Sequence, residues 1–286
     1  MRITVHRPPA RRPGQVMLAR ALSKLGLASR TEAIALIRAG RVAVDGRIIL
    51  SPGLLVVPER ASIEIDGLAG QRPDFLTILL HKPRGVVTTR RDPQGRPTVI
   101  DLVADAPARV FPVGRLDLAS TGLLLLTNDS RFADWVTDPA SQVPRMYVVT
   151  VRGDVAEAVR GRLESGIVSG GERLRACSIE VRKRSSRETH LLVELNEGRN
   201  REIRRLFEAA GHEVTRIKRV GFGGLALGNL PPGRWRVVSK TELAAAFPGA
   251  RFGGPARSSP VRSGPGKAPV RDTMGRRSGT AKGGGR

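Results

Sequence analysis

Three short stretches of this 286-residue chain hold side chains able to do chemistry together. Gly114-Arg115-Leu116-Asp117 puts a carboxylate beside a guanidinium, just ahead of Leu123–Leu126, an apolar run that reads as a buried strand. A strand of that kind can hold a loop carboxylate rigidly at a pocket, as a nucleophile or a general base requires. Tyr147 is the only tyrosine and leads a second apolar run to Val151. Arg201, Arg204 and Arg205, with Glu208, share the polar face of a helix, from which an arginine can clamp a carboxylate bidentately. Each has a plainer reading as well: a turn-forming aspartate, a core tyrosine with a wet hydroxyl, a solvated basic face.

Charge gives these groups a partner. The formal net charge is +23 and the isoelectric point about 11.7, which calls for a polyanion. Residues 251–286 hold nine Lys/Arg against Asp272, a net +8, so the preceding 250 residues still carry +15. No long basic amphipathic helix with aromatic anchors is evident, so nucleic acid is favoured over a membrane surface. Aromatics are only 3% of residues, which argues for arginine–phosphate contacts and recognition of RNA shape over stacking platforms.

Several chemistries drop out. Cys177 is the only cysteine, and His6, His81, His190 and His212 lie far apart, so neither a disulfide nor a metal centre is indicated. Gly221-Phe-Gly-Gly approaches a dinucleotide fingerprint, but Pro231-Pro232 follow where a helix should open. Neither a phosphate-binding Gly-x-x-x-x-Gly-Lys loop nor a Gly-x-Ser-x-Gly elbow occurs. What remains is a metal-free, cofactor-free site in which an aspartate held by an arginine attacks an RNA base or sugar.

The elements that must position this site form two groups. A basic N-terminus (1–14) is expected to be disordered. A helix is expected from Val16, with Leu18, Leu22 and Leu25 on one face and Arg20 and Lys24 on another. Ser29 and Glu32 form a capping-box signature for a second helix that ends at Gly40. Asp45-Gly46 joins two short strands as a type I′ hairpin, and 62–66 adds another strand. After a linker at 67–74, strands are expected at 75–80, 123–126, 147–151, 191–195 and 214–220, and helices at 154–165 and 201–210. Helices and strands interleave without strict alternation, so the fold class is α+β. Domains are expected at 15–67 and 75–248, followed by a disordered basic tail at 249–286. No signal segment or membrane span is evident, and a cytoplasmic monomer is the default expectation.

The early order Leu22-Ser-Lys-Leu-Gly-Leu-Ala-Ser-Arg30, Ile37-Arg-Ala-Gly-Arg-Val42 and Val44-Asp-Gly-Arg47 resembles the S4 RNA-binding domain. Its basic residues Arg20, Lys24, Arg30, Arg38 and Arg41 cluster at helix ends and turn, where phosphates can approach.

Gly-Arg-Leu-Asp-x-x-x-Thr-Gly (114–122) with Leu-Leu-Leu-Leu-Thr-Asn-Asp (123–129), then Arg145-x-Tyr147, then Glu197-Gly-Arg-Asn-Arg-Glu-Ile-Arg-Arg205 together resemble the bacterial ribosomal-RNA pseudouridine synthases of the RsuA/RluB type. The resemblance spans roughly residues 17–247, and sub-motifs such as His81-Lys-Pro-x-Gly85 lean toward the branch acting on large-subunit rRNA. It implies an S4 domain ahead of a mixed, mainly antiparallel catalytic sheet with flanking helices, no cofactor, and ribosomal RNA as partner. It makes Asp117 the catalytic aspartate, Tyr147 the tyrosine against the target base and Arg204 the arginine paired with Asp117.

Lys82, Arg115, Arg199, Arg201 and Lys218 are further expected RNA contacts. Arg145 stands where many members have Lys, and Glu202 where many have Gln. Covalent attack by Asp117 and removal of a ribose proton both remain open, as do a small-subunit rRNA substrate and a non-catalytic S4-type assembly protein.

Overall fold

The computed structural model describes residues 14–58, 60–69 and 74–253. The disorder expected for the N-terminus and for most of the basic tail falls on residues outside these.

The N-terminal part comprises β1 (Val16–Met17), α1 (Leu18–Lys24), α2 (Arg30–Arg38), β2 (Val42–Val44), β3 (Arg47–Ile48), β4 (Leu55–Val56), β5 (Ile63–Ile65) and β6 (Leu68–Ala69). The helix expected from Val16 starts two residues later, because Val16 and Met17 pair with Val56 and Leu55. Ser29 caps α2 through its Oγ, which accepts from the Glu32 backbone N–H at 3.1 Å, and Glu32 returns the bond to Ser29. Asp45 and Gly46 both take positive φ, 50° and 77°, as a type I′ turn demands. Leu68–Ala69, expected as linker, adds to β5, so the sheet runs β3-β2-β5-β6. Leu18, Leu22, Ala33, Ile37 and Val42 close a separate small core.

The larger part comprises β7 (Thr77–Lys82), β8 (Phe111–Pro112), β9 (Thr121–Thr127), α3 (Ser130–Thr137), β10 (Arg145–Arg152), α4 (Glu157–Ser165), β11 (Ile167–Ser169), β12 (Glu172–Leu174), β13 (Ser178–Arg184), β14 (Glu188–Leu195), α5 (Glu202–Ala209), β15 (Val214–Phe222), β16 (Leu225–Ala226), β17 (Trp235–Val237) and α6 (Lys240–Ala246). Its sheet runs β13-β14-β10-β15-β9-β7-β17, with β8 and β16 at the side. Every pairing in it is antiparallel except β9 with β15.

Both faces of this sheet are covered, which explains the uninterrupted leucine run of β9. Leu124 and Leu126 point into a core shared with Val149, Leu191, Leu206 and Phe207. Leu123 and Leu125 point into a second one, with Phe132, Phe222, Leu243 and Phe247. Packing continues past the expected boundary at 248: Phe252 stacks on Phe75 at 5.5 Å, and the Gly253 N–H donates to the Asp129 carboxylate at 3.0 Å. Among the described residues no helix is long and apolar enough to cross a membrane.

The pairing of β9 with β15 determines where loops meet. Thr121 and Gly122 stand opposite Lys218 and Arg219, while Lys82 stands opposite Gly122 and Arg145 opposite both Leu195 and Phe222. The start of β9, the end of β7, the start of β10 and the ends of β14 and β15 therefore share one edge of the sheet.

Candidate active site

Asp117 belongs to the loop between β8 and β9, and backbone bonds hold that loop on several sides. The Val113 N–H donates to Leu125 O at 2.8 Å, the Gly85 N–H to Leu118 O at 2.9 Å and the Ser120 N–H to Asp117 O at 3.0 Å. The Thr88 hydroxyl donates to Leu116 O at 2.7 Å and accepts from the Leu116 N–H.

Beneath it lies Lys82, expected as an RNA contact but wholly buried. Its ammonium donates to the carbonyls of Pro83 (3.1 Å), Asp117 (3.1 Å) and Ser120 (2.8 Å). A full set of acceptors is what a buried ammonium needs, so Lys82 is an internal strut of the loop and not part of the RNA-facing surface. Burial pulls its pKa down to about 8, against the opposing pull of Asp117.

Gly122 makes the close approach of β9 to β15 possible. It sits at φ 110°, and a Cβ there would lie 2.1 Å from Arg219 O. Only a residue without a side chain fits, which gives the Thr-Gly step of the motif its physical reason.

Two cavities meet at Asp117. The larger, about 540 Å³, is lined by Arg84, Asp117, Leu118, Arg201, Arg204 and Thr215. The smaller, about 170 Å³, is lined by Asp117 and Arg201 again, together with Arg115, Tyr147, Arg199 and residues of β10 and β15. Tyr147 is 7% exposed and faces the smaller space from β10, where it pairs with Val193 and Arg219.

Arg204 shares the larger cavity with Asp117, but the expected ion pair is absent: among the described residues the two form none within 4.0 Å. The guanidinium instead donates to Val214 O at 2.8 Å. Burial first, then Arg201, lowers its pKa, while Asp117 acts in the opposite sense. The field of the carboxylate reaches Arg204; a direct bond does not form.

The remaining basic candidates divide. Arg20, Arg30 and Arg38 are exposed on α1 and α2, and Lys24 is half-buried at the end of α1. Arg41 is held by both carboxylate oxygens of Asp66. Arg115, Arg199 and Arg201 rim the smaller cavity, Arg199 also pairing with Glu197 at 2.9 Å. Arg201 additionally sits in the left-handed region at φ 49°, as the residue before α5. Lys218 is exposed on β15, and none of the two cavities' lining includes it. Arg205, read as solvated, pairs with Glu172 at 2.6 Å and ties α5 to the β11–β12 hairpin.

Three residues at the smaller cavity carry no expected role from the sequence. Arg145 is 5% exposed; it donates to Val136 O, Val143 O and Asn196 O and lies 5.1 Å above the Phe222 ring. Arg219 covers the same ring at 4.7 Å and donates to Leu123 O. Glu202 is 3% exposed at the start of α5. Period two along β10 puts Arg145 on the face of Tyr147, a signal that the apolar run starting at Tyr147 obscures.

Comparison with known proteins agrees with this architecture. Residues 18–60 match the S4 domain, and residues 76–209 match the RNA pseudouridylate synthase family. An RNA pseudouridine synthase of Aquifex aeolicus is 38% identical over 234 residues, covering 82% of this chain and 94% of the relative. The ribosomal large subunit pseudouridine synthase B of Bacillus subtilis is 36% identical over 231 residues, 79% of this chain and 93% of that protein. A crystal structure of a pseudouridylate synthase superposes with a TM-score of 0.56 at 26% identity, covering 80% of this chain and 98% of the other. With an S4 domain leading and the Asp117 loop at the shared edge of a mixed sheet, the chain belongs to the RNA pseudouridine synthase family.

Proposed function

We propose that this protein isomerises a specific uridine of large-subunit ribosomal RNA to pseudouridine, with Asp117 as the catalytic aspartate. The observation that carries this reading is that Asp117 stands where the two cavities meet. One cavity, rimmed by Arg84, Arg201 and Arg204, suits the sugar–phosphate backbone. The other, with Tyr147, suits a base that has left its stack. The names of the relatives support the large-subunit substrate.

The reaction breaks the bond from N1 to C1′, turns the uracil and forms a bond from C5 to C1′. The C5 proton leaves and N1 gains one, so no atom or electron is lost. Asp117 starts it as a carboxylate, either by attack or by taking a ribose proton. Tyr147 stacks on the turning base, and Arg204 holds negative charge near Asp117. The exposed basic residues of α1 and α2 supply affinity through phosphate neutralisation.

Mapping pseudouridine in both rRNAs of a strain lacking this gene tests the reading. One missing large-subunit site, restored by the wild-type gene and not by Asp117→Asn, is the expected result. A missing small-subunit site overturns the substrate, and restoration by Asp117→Asn overturns the role of Asp117.

A further inference from the structure

Arg109, in the loop before β8, reaches α2 of the N-terminal part, where its Nη1 donates to the Glu32 carboxylate at 2.9 Å. Arg90 lies within the field of the same carboxylate. The Ser29 N–H first, then Arg109 and Arg90, hold the Glu32 carboxyl below its usual range, with burial acting in the opposite sense. Glu32 is also the third helical residue of the α2 capping box, so its side chain is fixed to the S4 part while it meets the larger one.

The segment from Arg84 to Arg90 joins this contact to the candidate active site. Arg84 and Gly85 line the larger cavity beside Asp117. The Gly85 N–H donates to Leu118 O at 2.9 Å and the Thr88 hydroxyl to Leu116 O at 2.7 Å, so the segment runs along the Asp117 loop. A stretch of this length spans about 20 Å at most, which bounds the way from the cavity rim to Arg90.

Arg84, Arg90, Arg91 and Arg109 are all exposed. Among the described residues Arg84, Arg90 and Arg91 form no ion pair, and Arg109 gives Glu32 only one of its N–H donors. The nearby acids are engaged elsewhere. Asp92 binds Arg96 through both oxygens, and Asp101 accepts from the N–H and hydroxyl of Thr98. Guanidiniums gathered on one surface without counter-charge repel one another and attract a polyanion.

We infer that Arg84, Arg90, Arg91 and Arg109 form a phosphate-binding strip that leads RNA from α2 to the Asp117 cavity, aligned by the Glu32–Arg109 pair. Guanidinium forks suit phosphate oxygens, and residues 84–109 include no aromatic side chain on which a base could stack. Phosphate contacts fix register and orientation without reading sequence. The strip therefore selects the target by its place relative to the RNA held on the S4 part, and not by the neighbouring bases. This inference rests on the proposed function, since it takes the Asp117 cavity as the seat of the target nucleotide.

The test uses the full chain and an rRNA transcript carrying the mapped target site. Arg90→Gln/Arg91→Gln is expected to raise KM about 10-fold, to leave kcat at saturating RNA unchanged and to flatten the slope of log affinity against log salt by about one to two. Lys183→Gln/Arg187→Gln removes the same charge at the end of the edge strand β13, and should shift KM by no more than about twofold. On a transcript trimmed to the target and its immediate neighbours, wild type and Arg90→Gln/Arg91→Gln should bind alike. Phosphates beside the target whose ethylation weakens wild-type binding should lose that effect in the same variant.

Glu32→Gln keeps a capping-box side chain and removes the ion pair. Loss of a negative charge by itself favours RNA binding, so an expected fall of about two- to fivefold in kcat/KM on the full transcript reports lost alignment. Circular dichroism checks that every variant folds.

Unchanged KM and salt slope in Arg90→Gln/Arg91→Gln, or an equal loss in Lys183→Gln/Arg187→Gln, would mark a merely solvated basic surface and overturn the strip. Full activity in Glu32→Gln would overturn the alignment. Asp117→Asn, run in parallel, separates the two readings. The strip is judged on binding, which needs no turnover, whereas conversion of uridine by Asp117→Asn removes the proposed function and leaves the binding result standing.

Discussion

The ammonium of Lys82 lies 3.1 Å from the backbone carbonyl oxygen of Asp117, so a buried cation at the end of one strand grips the loop that carries the central carboxylate. The same ammonium binds Ser120 O at 2.8 Å and thereby spans the turn from Asp117 to β9.

Lys82→Met keeps much of the volume and removes the donor, leaving the carbonyls of Pro83, Asp117 and Ser120 unmatched. We expect kcat to fall by about 10- to 100-fold, because a site loosened by an ångström loses that much. RNA affinity should stay near the wild-type value. Filter binding set against single-turnover rates separates this role from a phosphate contact, which would weaken binding instead.

Gly122→Ala places a methyl group 2.1 Å from Arg219 O at a φ of 110°. Separation of β9 from β15 should cost about 3 kcal/mol or more. The expected signature in urea unfolding is a lowered midpoint, with activity lost in parallel since Asp117 hangs from the same strand.

Arg201 is held in the left-handed region while lining both cavities. Such a conformation costs about 1–2 kcal/mol for a residue of this kind, and asparagine tolerates it better. Arg201→Asn is therefore expected to raise Tm by about 2–4 °C and to lower kcat/KM. A simultaneous loss of stability would show that Arg201 serves the fold and not the substrate.

Lys82 and Glu202 give opposite pH limbs. The Lys82 pKa is lowered from 10.5 to about 8, so between those values the unfolded chain holds a proton that the folded one has released, and stability rises with pH. The Glu202 pKa is raised from 4.5 to about 7, so between those values the folded chain holds the extra proton, and stability falls as pH rises. Each limb amounts to roughly 3 kcal/mol. Their joint contribution is lowest between about pH 7 and 8. Thermal unfolding from pH 4.5 to 10.5 should lose the alkaline limb in Lys82→Met and the acid limb in Glu202→Gln.

RNA affinity should fall steeply with salt, and substituting Arg20, Arg30 and Arg38 with glutamine should flatten that slope by about two to three. Log affinity plotted against log salt measures it directly. An unchanged slope would move the phosphate contacts away from α1 and α2.

Much of this protein was legible in its residues. Leu18, Leu22 and the Ser29–Glu32 capping box announce the helices of the S4 part, and Asp45-Gly46 announces its hairpin, because these signals act within a few residues of chain. The apolar run of β9 and the motifs at Asp117, Tyr147 and Arg204 likewise mark the elements of the site.

Sequence could not tell which charges face RNA and which face the interior. Lys82 reads as an RNA contact and Arg145 only as a departure from the family motif; the sheet register buries both, and carbonyls from distant segments satisfy them. Nor could it separate Arg204 from Asp117 in the free protein, or bring Glu202 and Arg219 into one cavity. Those relationships depend on the parallel contact of β9 with β15 across Gly122, a pairing between residues almost a hundred positions apart. Local chain chemistry determined the parts and the motif order, while long-range strand pairing decided which polar groups are paired inside and which line the cavities at Asp117.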